Sequence, residues 1–145
     1  MTSLRERLQS GRTQFGICIT YPAAGVVERI GPDWDWVWIC TQHGQIDYRT
    51  MLEMVRVCNL IDRPAFPRVP SHEFGSIGRA LDTGADGVIV PVVEPAAEAA
   101  AVVQAAKFPP LGGRSYGGRR CVDLGGRRYT DTANDECLLM CQIET

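Results

Sequence analysis

The sequence lacks any apolar run approaching the about 18 residues of a membrane-spanning helix, and it lacks a strong charge of either sign. Its formal net charge is −2 at pH 7, which argues against a globally basic nucleic-acid-binding domain. The first dozen residues mix charged and apolar side chains and build no signal-peptide core. We therefore expect a cytoplasmic protein with neither a membrane nor a nucleic acid as partner.

No C-x-x-C pair occurs among the six cysteines, and most of them lie inside apolar segments. This distribution is typical of reduced, buried thiols and argues against a disulfide framework. Of the 145 residues, 45% are apolar and 22% are charged, which is the composition of a soluble globular protein. We predict a single domain over residues 1–145.

A dinucleotide-binding G-x-G-x-x-G motif is missing after the first predicted strand. What the chain does contain is an alternation of apolar, strand-like runs with helix-like segments. The predicted strands cover residues 15–20, 36–39, 65–69, 88–93 and 137–143. The helices between them carry boundary signals at Pro22, Asp47, Ser71, Gly84 and Pro95. Residues 109–135 are predicted to form a long loop.

Repeated βα units of this kind predict an α/β fold, either a doubly wound sheet or a (β/α)8 barrel. A barrel usually takes about 250 residues, so four units and a fifth strand cannot close one. We expect a (β/α)8 TIM-barrel type truncated after strand five, the N-terminal (βα)4-β part of a barrel. Its open edge would expose unpaired backbone groups, so we also expect a homo-oligomer.

The stretch DWDWVWICTQHG is central, because an apolar strand ends there in a polar cluster at His43. In α/β folds, the loops at the carboxyl ends of strands carry the chemistry. A lone histidine after a strand is usually a hydrogen-bonded structural residue. Cys40 and His43 could also be a thiol nucleophile with its base or half of a zinc site. Both of these readings are weak because no second ligand pair is present.

Five ordered motifs carry a family resemblance: DWVWI-x-x-x-HG, RVP, RALD-x-GA-x-GVIVP, KFPPLGGRSYGG and QIET. Together they resemble the metal-dependent 2-oxo acid aldolases of the 4-hydroxy-2-oxoheptanedioate aldolase and citrate lyase family. The resemblance runs from about residue 15 to residue 145. It implies a barrel enzyme that reversibly joins the enolate of a pyruvate-type 2-oxo acid to an aldehyde. It also implies a divalent metal, Mg, Mn or Co.

The resemblance assigns a role to five residues of this sequence. Glu144 matches the family's first metal carboxylate, and Gln142 matches a residue that contacts the bound oxo acid. Arg68 matches the arginine that stabilises the enolate charge. His43 matches the proton-transferring base, and Asp82 matches the acid that raises the basicity of this histidine. Without the resemblance, Arg68, Asp82 and Glu144 could each be an ordinary surface charge.

Two departures from the family pattern favour an alternative function. The family usually has an aspartate where this chain has Cys40 and a glutamate where it has Gln42. The second metal carboxylate normally lies on a later strand, beyond Thr145. The alternative is a catalytically silent half-barrel that acts as an assembly or binding module, in which a single carboxylate would bind a metal weakly.

The segment over residues 112–128 is rich in glycine and arginine. Its charge could bind phosphate or RNA. We favour a mobile loop over the mouth of the active site, because the family has a PP-x-G-x-R element here. The tryptophans at positions 34, 36 and 38 alternate along the chain and are expected to share one face of the second strand.

Overall fold

The computed structural model describes residues 3–144, so Thr145 of the QIET motif lies outside the described residues. This range contains seven α-helices and five β-strands. In chain order they are α1 (Leu4–Gln9), β1 (Gly16–Ile19), α2 (Ala24–Ile30), β2 (Trp36–Cys40), α3 (Tyr48–Leu60), β3 (Ala65–Arg68), α4 (Phe74–Leu81), β4 (Gly87–Val90), α5 (Ala96–Ala106), α6 (Arg119–Gly125), α7 (Tyr129–Glu136) and β5 (Leu138–Cys141).

The five strands form one sheet in the order β1-β2-β3-β4-β5, and all pairs are parallel. A doubly wound sheet reverses its strand order at a switch point, whereas a barrel adds each strand beside the previous one. The sequential order therefore decides between the two predicted architectures. The fold is of the (β/α)8-barrel type.

The two faces of the sheet pack differently. One face is covered by α2 to α5 and holds the main hydrophobic core, in which Val37, Ile39, Val88 and Val90 are fully buried. The other face, which we call the inner face, carries a smaller cluster. Its buried members are Leu4, Phe66 and Ile89, with Trp36, Trp38, Leu138 and Met140 half-buried against them. Of the three tryptophans predicted to share one face of the second strand, Trp36 and Trp38 do so, whereas Trp34 precedes β2.

Several predicted boundaries are confirmed and others are wrong. Asp47 caps α3, since its Oδ1 accepts a hydrogen bond from the backbone N–H of Thr50 at 2.8 Å. Gly84 adopts a φ of +83° just after α4, as a glycine at a helix end can. Ser71 does not cap α4, because the N-cap position belongs to Glu73. Pro22 likewise precedes the first turn of α2.

The predicted loop over residues 109–135 is also wrong, because it contains α6 and most of α7. These two helices present little apolar surface to the core: Cys121 is the buried residue of α6, and Ala133 is that of α7. A glycine, Gly126, with a φ of +71°, separates them. They pack near the amino ends of the strands, where Cys121 donates a hydrogen bond to the carbonyl of Leu81.

The sheet thus has an amino end, beside the last turns of the helices, and a carboxyl end, where the strands lead into loops. At the amino end, the Asp86 carboxylate accepts a hydrogen bond from the first residue of β3, Ala65, at 2.8 Å. Among the described residues, no helix is both long and apolar enough to span a membrane.

Candidate active site

Strand alternation brings the site together at the carboxyl end of the inner face. Cys40 and Arg68 are register partners at the ends of β2 and β3. Gln142 immediately follows β5, and its backbone N–H donates to the carbonyl of Val90 at 2.9 Å. Because side chains two residues apart point to the same face of a strand, Arg68 lies above Phe66 and Cys40 above Trp38. The inner face therefore ends in polar groups.

Arg68 is the centre of this cluster and is only 8% exposed. Its Nη1 donates to Gln142 Oε1 at 3.2 Å and lies 3.8 Å from Glu144 Oε1. Its Nη2 donates to Cys40 Sγ at 3.2 Å. The guanidinium also stacks over the indole of Trp38, with its carbon 4.9 Å from the ring centre. The site is a buried cation surrounded by an amide, a carboxylate and a thiol.

The loop after β2 folds back over the strand ends. Gln45 N–H donates to the carbonyl of Thr20 at 2.8 Å, which ties this loop to the end of β1. A Cβ on Gly44 would overlap the carbonyl oxygens of Cys40 and Thr20, so only glycine fits there. This turn leaves the side chain of His43 exposed at the same end of the sheet as Arg68.

Asp82 lies elsewhere. It follows the last turn of α4, which leads into the amino end of β4, whereas His43 follows the carboxyl end of β2. Its Oδ1 accepts a hydrogen bond from Arg114 Nη2 at 2.9 Å. The predicted action of Asp82 on His43 is therefore not supported within one chain. The ion pair supplies the reason for an acid at a helix end where the dipole disfavours it.

Arg114 is the centre of the contacts at the amino end of the molecule, and it was not among the predicted site residues. It is 4% exposed, donates to Tyr129 Oη at 3.1 Å and stacks on the ring of Phe108 at 4.7 Å. Burial alone would lower the pKa of Arg114, but Tyr129 and Asp82 together raise it. The sequence did contain an indication of its importance, since Arg114 lies in KFPPLGGRSYGG, one of the motifs that carry the family resemblance. Gly118 of that motif approaches Asp82 so closely that a Cβ would lie 2.5 Å from Oδ1.

Comparison with known proteins decides the family. A family model described as HpcH/HpaI aldolase/citrate lyase matches residues 27–145. The chain belongs to the HpcH/HpaI aldolase/citrate lyase family. This confirms the resemblance drawn from the sequence motifs.

Named relatives and a solved structure agree with this membership. The chain is 36% identical to a 4-hydroxy-2-oxovalerate aldolase of Rhodococcus jostii, over 100% of this chain and 57% of that protein. It is 31% identical to a 4-hydroxy-2-oxo-heptane-1,7-dioate aldolase of Shigella flexneri, over 99% and 55%. A crystal structure of an HpcH/HpaI family protein from Burkholderia cenocepacia matches with a TM-score of 0.88 and 28% identity, over 98% and 59%.

The chain thus spans somewhat more than half the length of these HpcH/HpaI relatives. The residues of the chain offer the type of ligand atom that a divalent metal prefers, but they offer too few of them. Glu144 and Gln142 supply hard oxygen donors, as Mg and Mn prefer. Within residues 3–144, however, no group of three His, Cys, Asp or Glu side chains could hold a metal ion.

Proposed function

We propose that the chain functions as a carbon-carbon lyase, an aldolase that joins the enolate of a pyruvate-type 2-oxo acid to an aldehyde and reverses that reaction. The observation that carries the proposal is the convergence of Arg68, Gln142 and Glu144 at the carboxyl end of the inner face. Family membership supports the same reaction class.

Arg68 would bind the oxo acid and stabilise the enolate. Enolate formation places negative charge on the former keto oxygen, and a buried guanidinium stabilises such charge more strongly than an exposed one. The carboxylate nearest to Arg68, that of Glu144, is 3.8 Å away and 42% exposed, so it does not neutralise the guanidinium as a buried partner would. Gln142, which accepts from Nη1, would help to orient the guanidinium toward an anionic ligand.

His43 would move the proton. Cleavage of a 4-hydroxy-2-oxo acid requires removal of the hydroxyl proton, and the resulting enolate must then be protonated at carbon. An imidazole can perform both transfers near neutral pH. The exposed position of His43, on the loop tied to β1 and at the same end of the sheet as Arg68, supports this role.

Glu144 is our candidate for the metal carboxylate, and Mg, Mn or Co is the expected metal. Its side chain is 42% exposed beside Arg68, so its oxygens are open to further ligands. Asp82 is left out of the proposed site because Arg114 holds it at the other end of the sheet. Action as a cytoplasmic homo-oligomer stays our prediction.

A retro-aldol assay tests the proposal. The full chain is mixed with a 4-hydroxy-2-oxo acid and Mn, and released pyruvate is coupled to lactate dehydrogenase. We expect activity that is lost in His43→Ala and in Glu144→Ala but retained in His72→Ala, an exposed histidine that follows β3. Absence of activity in protein shown to be folded by circular dichroism would contradict the proposal and support the silent binding module.

A further inference from the structure

The sulfur of Cys40 lies against the buried guanidinium of Arg68. Arg68 Nη2 donates to Sγ at 3.2 Å, and both residues are buried. We propose that Cys40 is held as a thiolate, serves as the buried counter-ion of Arg68 and thereby fixes the guanidinium at the carboxyl end of the inner face. An arginine side chain can only donate, so this contact favours a sulfur that accepts.

Arg68 needs such a counter-ion because it is buried. Removing a guanidinium from water is costly unless an anion compensates for it inside the protein. Glu144 lies 3.8 Å away and its side chain is 42% exposed, so water screens that pair. Cys40 is 1% exposed and closer, at 3.2 Å. The screening argument therefore favours the thiolate as the stronger partner.

The local fold explains why Cys40 is enclosed. β2 ends at Cys40, and the following turn reverses so tightly that the position of Gly44 excludes a Cβ. The backbone of this turn lies against Cys40, and the bond from Gln45 N–H to the carbonyl of Thr20 holds the turn in place. Cys40 is therefore shielded from water on the side away from Arg68.

The other thiols give the contrast. Burial raises the pKa of Cys18, Cys137 and Cys141, and it raises the pKa of Cys58 to about 12. Burial also acts on Cys40, but the donors from His43, Arg68 and Gly44 outweigh it and lower its pKa below the ordinary range.

The charged and titratable groups near Cys40 come from each neighbouring element. Arg68 faces it from β3, and Cys18, whose own pKa is raised in part by Cys40, faces it from β1. His43 lies in the loop that follows β2, and Glu144 contacts the other amino group of Arg68. The balance of charge around Cys40 therefore rests on Arg68.

The charge state of Cys40 is tested by the ultraviolet absorption of thiolates, measured as a function of pH. The absorption of Cys40→Ser is subtracted from that of the wild type. This difference isolates Cys40 from the other five thiols. We expect a thiolate signal at neutral pH. In Arg68→Met this signal should be smaller by about tenfold or more, because a nearby opposite charge shifts the pKa of an ionisable group by a unit or more. Arg79→Met, which removes an exposed arginine stacked on Tyr48, should leave it unchanged.

The absence of a difference signal at neutral pH, in folded protein, would overturn the proposal. So would a signal that Arg68→Met leaves unchanged. If Arg68→Met does not fold, the charge state of Cys40 is tested instead by the rate of its alkylation in the wild type, measured as a function of pH. A rate that already levels off at neutral pH supports the thiolate, and one that rises as for a free thiol contradicts it.

The positioning role has its own measurement. The NMR signals of the Arg68 guanidinium, assigned by their loss in Arg68→Met, should show hindered rotation in the wild type. Cys40→Asp should preserve this hindrance because it keeps an anion, whereas Cys40→Ser should abolish it. Equal behaviour of the two variants would contradict positioning by charge. Any effect of Cys40 on catalysis rests on the proposed aldolase function. The absorption and NMR measurements do not involve activity, so the thiolate proposal and the proposed function can fail separately.

Discussion

Two buried arginines, at opposite ends of one sheet, have different surroundings. Arg114, at the amino end, is 4% exposed and is paired with Asp82 at 2.9 Å and Tyr129 at 3.1 Å. Arg68, at the carboxyl end, is 8% exposed. Its nearest carboxylate, that of Glu144, is 3.8 Å away and 42% exposed. Burial is similar, and Nε has no partner among the described residues in either side chain, but Arg114 alone of the two has a carboxylate within hydrogen-bond distance.

The difference separates a structural arginine from a functional one. The pair with Asp82, the bond to Tyr129 and the stacking on aromatic rings join α4, the segment before α6, and α7. Such an arginine stabilises the fold. Arg68, whose nearest carboxylate is partly exposed and beyond hydrogen-bond distance, can instead bind an anionic ligand. The predictions below test this division.

The largest effect is expected on activity, from Arg68→Met. Turnover in the retro-aldol assay should fall about 100- to 1,000-fold, as when one donor to a developing oxyanion is removed. Stability in urea should fall by about 1 kcal/mol, less than in Arg114→Met, because Cys40 can bind a proton once its cation is removed and the other partner, Glu144, is 42% exposed to water. A loss of stability as large as that of Arg114→Met would remove the distinction between the two ends.

The converse is expected for Arg114→Met. Its free energy of unfolding should fall by about 3 kcal/mol, since breaking a buried pair leaves Asp82 and Tyr129 without their partner. Turnover per folded molecule should be unchanged. The matched control is Arg119→Met, which breaks the Arg119–Asp123 pair at 2.9 Å, in which Arg119 is 84% exposed. This control should cost about 0.5 kcal/mol or less.

Asp82→Asn should have a smaller effect, about 1 kcal/mol, because the amide oxygen can still accept from Arg114 while the charge is lost. The side chain of Asp82 is 32% exposed, so water compensates in part. Urea unfolding of Asp82→Asn, Arg114→Met and the double variant measures the coupling of the pair. A loss of turnover with no loss of stability would contradict this and indicate that Asp82 takes part in the reaction.

The smallest effect is expected from Asp86→Asn. Burial raises the pKa of Asp86, although the N–H of Ala65 donates to it. A raised pKa means that the folded chain binds the proton more tightly than the unfolded chain, so the ionised carboxylate costs stability as pH rises through the folded pKa. The residue as a whole is exposed, so water screens this cost, and the variant should be only slightly more stable at neutral pH, by about 0.5 kcal/mol or less. The gain should vanish in acid, and a gain that persists there would contradict this sign.

The strands and the carboxyl-end site could be predicted from sequence for one physical reason. A strand buried on both faces reads as a continuous apolar run, so its end is visible where polar residues such as His43 and Arg68 begin. The position of Glu144 after the last run follows in the same way, whereas Gln142 lies inside the predicted strand over residues 137–143 and was indicated only by the family resemblance. The structure brings Arg68, Gln142 and Glu144 together, as parallel strands require.

The amino end could not be predicted because it depends on contacts between distant residues. Asp82 and Arg114 are 32 positions apart, and nothing local to either indicates the other. The helices α6 and α7 were missed because glycines surround them and each buries little apolar surface. Local patterns record burial against the sheet, and this region packs mainly through side-chain hydrogen bonds and aromatic contacts.

The most direct test of the central claim, that the carboxyl end around Arg68 forms a pyruvate enolate, is proton exchange at the pyruvate methyl group in D2O. The exchange is followed by proton NMR with Mn in trace amounts, and it needs no knowledge of the aldehyde. We predict exchange by the wild type and, per folded molecule, by Arg114→Met, with none above the buffer rate for Arg68→Met. Equal exchange by both arginine variants, or none by folded wild type, would contradict the account.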